Sequence, residues 1–168
     1  MTDSEPEKWM REALQEAKLA YLIGEVPIGA VVVHNGEIIG RGHNLREHGQ
    51  DATLHAEVLA IQEACEYLHS WRLEDCQLYV TLEPCIMCSG AIINARIPVV
   101  YYGARDPKAG AVHSLYQLLG DERLNHQVEV HERLLARPAG ELLQRFFRGI
   151  RERQKAAKKA RRQATEKN

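Results

Sequence analysis

Apolar side chains recur at steps of three and four over residues 7–23, where Trp9, Met10, Ala13, Leu14, Ala17, Ala20 and Tyr21 share one side. That spacing predicts an amphipathic helix, with Pro6 suited to its first turn and Gly24 to its end. Two runs rich in β-branched residues follow, 28–33 and 37–41, separated by Asn35-Gly36. Asn-Gly accepts positive φ at both turn positions, so the pattern predicts a hairpin. Residues 42–51 are polar, carry Gly42, Asn44 and Gly49, and read as a loop. A second helix is predicted from His55 to His69, with Ala56, Leu59, Ala60, Ala64 and Leu68 on its inner face. Alternation at Leu78, Val80 and Leu82 marks a strand over 77–82. After Pro84 a helix is expected over 85–95, then a strand over 99–102. Strand, helix and strand at this length form a βαβ unit, hence a parallel, right-handed pairing. Beyond a loop at 104–112 the pattern predicts a short helix near 114–119, a strand at 127–131 and a final helix. That helix begins near Pro138 and runs through Phe146, Phe147 and Ile150 into a basic tail. The fold class is α/β: a mixed sheet of about five strands with helices on both faces.

Length and composition narrow the setting. With 168 residues, 45% hydrophobic and 27% charged, the chain reads as a single globular domain over residues 1–168, without internal repeat or linker. The first eight residues are polar and acidic, and no apolar run approaches the roughly 20 residues of a membrane span. A cytoplasmic protein with reduced thiols is expected. Net charge is −1 but strongly polarised: nine basic residues against two acidic ones from Arg148 onward make that segment +7, leaving −8 on residues 1–147. Residues 155–168 form the basic tail, and beyond Lys158 the pattern suits disorder as well as a continued helix.

The candidate chemistry lies in two short stretches, His55-Ala56-Glu57 and Pro84-Cys85-Ile86-Met87-Cys88. One His and two Cys make three ligands of a tetrahedral zinc site and leave a fourth position for water. A carboxylate beside that position can move the water's protons. Residues i and i+2 on a helix point about 200° apart, so His55 and Glu57 converge only if they straddle a helix start. Cys85 and Cys88, at i and i+3, share a face at the start of their own helix. A closed structural zinc site needs a fourth protein ligand, and neither Cys65, Cys76, His43 nor His69 sits in a matching motif. Cys65 and Cys76 read as small core or edge residues.

His-x-Glu followed by Pro-Cys-x-x-Cys is the signature of the zinc deaminases of the cytidine/deoxycytidylate deaminase superfamily. Within it, the chain resembles the bacterial tRNA-specific adenosine deaminases over almost its whole length. The stretches that carry the likeness are 25–30, 42–44, 78–85, 102–108, 124–126 and 146–148. The resemblance implies a three-layer α/β/α cytidine-deaminase-like fold and one zinc per subunit, held by His55, Cys85 and Cys88 with water as fourth ligand. It further implies hydrolytic deamination of adenosine to inosine at the wobble position of a tRNA anticodon, expected to be an arginine tRNA. Hydroxide attacks C6 while Glu57 shuttles protons. It gives Asn44 a hydrogen bond to the base, and the Ala56 N–H, Val26, Ile28 and Leu82 the rest of the pocket. Asp106 falls where the family contacts the neighbouring nucleotides, and a homodimer is implied, with Met87, Ala91 and Ile92 as its candidate surface.

Taken by themselves, Asn44 also suits a turn and Asp106 an ordinary Asp-Pro turn. Arg148 and Arg151 favour phosphate contact over a merely solvated helix end. Phe146 and Phe147 suit base stacking or core packing. Two other functions share these motifs: deamination of a free base such as guanine or cytosine, and a zinc-stabilised RNA-binding module without catalysis.

Overall fold

The computed structural model describes residues 2–166. Five helices, α1 (Glu5–Leu22), α2 (Arg46–Gly49), α3 (Ala56–Leu68), α4 (Ile86–Asn94) and α5 (Ala136–Glu166), surround five strands. These are β1 (Gly29–His34), β2 (Glu37–His43), β3 (Cys76–Leu82), β4 (Val99–Ala104) and β5 (Glu129–His131). The sheet order is β2-β1-β3-β4-β5. β1 is antiparallel to β2 and β3, whereas β3, β4 and β5 run parallel.

Each element has a local cause. The Ser4 hydroxyl accepts from the Glu7 N–H while the Glu7 carboxylate accepts from the Ser4 N–H, a reciprocal cap that starts α1. Asn35 and Gly36 turn the hairpin at φ 49° and 75°, both positive as a type I′ turn requires. Alternation along the strands sorts side chains into two cores. Ala30, Val32, Leu78 and Val80 pack with Ala60, Ile61 and Ala64 of α3 and with Ile92 and Ile93 of α4. Val31, Val33 and Tyr79 pack on the other face with Trp9, Met10 and Ala13 of α1, and α5 lies on that side against α1 and β4. This is the expected three-layer α/β/α arrangement with a mixed five-stranded sheet.

Three expectations change. The loop at 42–51 is shorter: β2 continues to His43, and α2 forms a single turn. Gly42 permits this, since a Cβ there would collide with the Ala56 carbonyl at the start of α3. No helix forms at 114–117, leaving only a 3₁₀ turn at Leu118–Gly120. The N–H groups of Val112, His113 and Ser114 are taken by the Glu83 carboxylate instead of a helical carbonyl. The basic tail, left open by the pattern, is helical to Glu166, consistent with its Ala, Lys, Arg and Gln content. Lys167, also counted in the tail, lies outside the described residues. Finally, Ile92 is fully buried within the subunit and is removed from the candidate dimer surface. Among the described residues no helix is long and apolar enough to cross a membrane.

Candidate active site

His55 and Cys85 are the last extended residues before α3 and α4, at φ −84°, ψ 152° and φ −77°, ψ −179°. Their side chains therefore leave from two helix N-termini, whose free N–H groups and positive dipole ends favour thiolate. Cys88 lies one turn further along α4 and is fully buried. His55 Nδ1 is 3.6 Å from Cys85 Sγ and 3.5 Å from Cys88 Sγ. A tetrahedral zinc with Zn–N near 2.0 Å and Zn–S near 2.3 Å separates such atoms by about 3.6 Å. The three donors lie within 4.8 Å of one another and fit that ion. The Cys85 thiol is held down to about 4, chiefly by a hydrogen bond from Cys88, against its burial and with help from His55. Cys88 keeps the proton between the pair, and a divalent cation displaces it.

Glu57 is the second residue of α3 and only 4% exposed. Because His55 precedes the helix with extended backbone, the 200° separation of a regular helix does not apply, and the two side chains are close enough for their charges to interact. The Glu57 carboxyl is buried beside the thiols of Cys85 and Cys88 and the His55 ring, whose charges it senses. Burial pushes its carboxyl up to about 7, so it gives and takes protons near neutral pH. Among the described residues the metal-ligand group has three donors, leaving one position of a tetrahedral ion for water or substrate.

Asn44 is buried just past the end of β2, its backbone N–H bonded to the Ile28 carbonyl. Its Oδ1 accepts from the Arg46 N–H and its Nδ2 reaches the Val26 carbonyl at 3.5 Å. It thus serves the turn and still keeps an amide N–H to offer a ligand. Ala56 opens α3 with one of the helix's unbonded N–H groups, and Val26 and Leu82 are half-buried. Arg148 and Arg151 are exposed on α5, and nothing brings them to the metal-ligand group. Phe146 is buried edge-on against Tyr21, while Phe147 is 42% exposed.

Two buried carboxylates tie these parts together. Glu25 is 1% exposed, and its Oε1 accepts from the His48 N–H and ring Nδ1, fastening α2 to the chain before β1. Glu83 is 2% exposed, and its oxygens accept from the N–H groups of Asp106, Val112, His113 and Ser114 and from the Ser114 hydroxyl. Gly110 makes room, since a Cβ there would overlap that carboxylate. Glu83 therefore holds the loop at 106–114. Asp106 stands in this loop with Oδ1 bonded to the Lys108 and Ala109 N–H groups, its backbone fixed on Glu83. The gaps of 23 residues from Glu25 to His48 and from Glu83 to Asp106 hide both ties from any local sequence pattern.

The Glu83 cage is testable by stability. Glu83→Ala strands several loop N–H groups and is expected to lower unfolding free energy by about 3 kcal/mol in urea titration. Burial opposes charge on Glu83, but the hydrogen bonds from Ser114, His113 and Asp106 outweigh it and hold its carboxyl below the ordinary value of 4.5. The gap between wild type and variant is thus complete above about pH 4.5 and closes as pH falls through the lower folded value. A gap independent of acid pH contradicts the cage.

Comparison with known proteins accords with this geometry. The family model of the MafB19-like deaminases matches residues 4–151. The tRNA-specific adenosine deaminase of Streptococcus pyogenes serotype M1 is 56% identical over 150 residues, covering 89% of this chain and 88% of that protein. The tRNA-specific adenosine deaminase of Bacillus subtilis strain 168 is 53% identical over 156 residues, covering 93% and 97%. A solved structure from a study of A-to-I editing by tRNA:A34 deaminases at the wobble position superposes with TM-score 0.78 at 45% identity. It covers 81% of this chain and 99% of that one. A metal-ligand triad with a near-neutral carboxyl beside it, on this sheet and with these relatives, leaves one assignment: the chain belongs to the family of the tRNA-specific adenosine deaminases.

Proposed function

We propose that this protein hydrolyses adenosine to inosine and ammonia at the wobble position of a tRNA anticodon, with an arginine tRNA as expected substrate. His55, Cys85 and Cys88 hold one zinc per subunit. A zinc ion there supplies Lewis acidity that brings water's proton within reach of a base at neutral pH. Glu57 takes that proton on a carboxylate oxygen and passes it to the purine N1 as C6 is attacked. It then takes the remaining proton from the new C6 hydroxyl and delivers it to the departing amine, so that the C6–N bond breaks as the carbonyl forms. Asn44 Nδ2 and the Ala56 N–H orient the base, and Val26 and Leu82 pack on it. A base must leave its stack to reach this depth, which suits a single-stranded anticodon loop. Asp106 contacts the adjoining nucleotides, Phe147 offers a stacking face, and Arg148 and Arg151 neutralise phosphates. The exposed side of α4, with Ile86, Met87 and Ala91, is where we place the second copy of a homodimer, in the cytoplasm.

The observation that carries this reading is the His55, Cys85 and Cys88 donor group of zinc dimensions with the buried Glu57 carboxyl on the adjoining first turn of α3, in a chain of this family. The deciding experiment is mass spectrometry of an anticodon stem-loop after incubation with zinc-loaded protein. Conversion of the wobble adenosine to inosine is expected. Turnover of free guanine or cytosine with none on the stem-loop would establish the free-base alternative instead.

A further inference from the structure

The end of the sheet from which the chain runs to Cys85 bears a second concavity. β3 and β4 are parallel with Leu82 beside Ala104, so the chain toward Cys85 and the chain toward Asp106 leave from the same end. There a cavity of about 420 Å³ opens between the end of β4 and the first turns of α5, lined by Arg105, Arg133, Arg137, Gly140, Glu141 and Gln144. The deamination chemistry uses none of these residues. Three guanidinium groups in one concavity suit a phosphate, which they meet with paired N–H donors. Arg105 rests on Glu132 at 2.9 Å and Arg137 on Glu141 at 2.8 Å. Exposed pairs of this kind exchange partners readily. Arg133 has no carboxylate within ion-pair distance among the described residues.

The cleft also continues into a larger feature. From Arg137, steps of four and three along α5 reach Glu141, Gln144, Arg148, Arg151, Lys155, Lys158 and Arg162. Such steps keep to one helix face. It lies opposite Ala139 and Phe146, the residues α5 buries, so the face is turned outward for about 38 Å. Its inner end is the arginine cleft beside the Asp106 loop, and its outer part is basic throughout.

We propose that the Arg105–Arg133–Arg137 cleft binds a backbone phosphate of the RNA strand leaving the target nucleotide, as the inner end of a basic track along α5. This rests on the RNA reading above. The test uses full-length, zinc-loaded protein and a fluorescent anticodon stem-loop, with binding followed by anisotropy across a salt series. The double variant Arg133→Ala with Arg137→Ala is expected to weaken binding about tenfold and raise KM in step. The slope of log K against log salt should become shallower by about 0.7 for each phosphate that is no longer neutralised. The charge-preserving pair Arg133→Lys with Arg137→Lys should recover most of that slope. If the alanine pair keeps the wild-type affinity and slope while wild type deaminates the stem-loop, the cleft is overturned alone. If wild type neither binds nor deaminates the stem-loop, the RNA reading falls and the cleft with it.

Discussion

Glu57→Gln is expected to reduce deamination of an anticodon stem-loop by about 10³- to 10⁴-fold while zinc content and RNA affinity stay near wild type. Glutamine keeps the volume of a side chain that is 4% exposed, so α3 and the metal-ligand group should hold their geometry. It cannot carry a proton, and the burial that pushes Glu57 up to about 7 supplies the mechanism with a group that can. Single-turnover rates on pre-bound RNA separate chemistry from binding. A variant retaining a tenth of the wild-type rate would remove Glu57 from the reaction. A variant that loses zinc in proportion to activity would make it structural.

Removal of zinc should have a comparably large effect. Protein dialysed against a chelator is expected to lose deamination to background and to regain it with one equivalent of zinc per chain. Thiol labelling supplies an independent reading. Without the ion, Cys85 is held as a half-buried thiolate with its proton lost at about 4, a ready target for iodoacetamide at neutral pH. Cys76 is fully buried and pushed up to about 11, so it should remain unlabelled. Peptide mass spectrometry should therefore find Cys85 modified only in the stripped protein, with zinc protecting it. Activity that survives complete removal of the metal, or labelling of Cys85 that zinc leaves unchanged, would dismiss these ligands.

Much of the frame was legible because its causes are local. Asn35-Gly36 states a turn, Pro6 and Gly24 bracket a helix, and alternation at Leu78, Val80 and Leu82 states a strand. The two metal motifs were legible because ligand chemistry restricts residue type and spacing. The manner in which His55 and Glu57 meet depends on where α3 begins, which the pattern places only to within a residue. The missing helix at 114–117 turns on Glu83, thirty positions away, offering its backbone a better acceptor than a helical carbonyl. Ile92 reads as surface or core on a short apolar helix, and only the packing of α4 on α3 decides between them. The arginine cleft assembles residues 105, 133 and 137, which share no motif and meet only because the end of β4 lies beside the first turns of α5.

The long basic α5 on an otherwise acidic body bears on how the molecule meets RNA before any contact forms. Charges of +7 and −8 on the two parts give the protein a large electric dipole. In the field of a polyanion such a particle experiences a torque as well as an attraction, and it turns helix-first while still a Debye length or so away. Collisions that lead with the acidic body are repelled and abandoned, whereas those that lead with α5 arrive aligned with the strand. Orientation is thereby selected during diffusion, and the encounter rate becomes the quantity most sensitive to ionic strength.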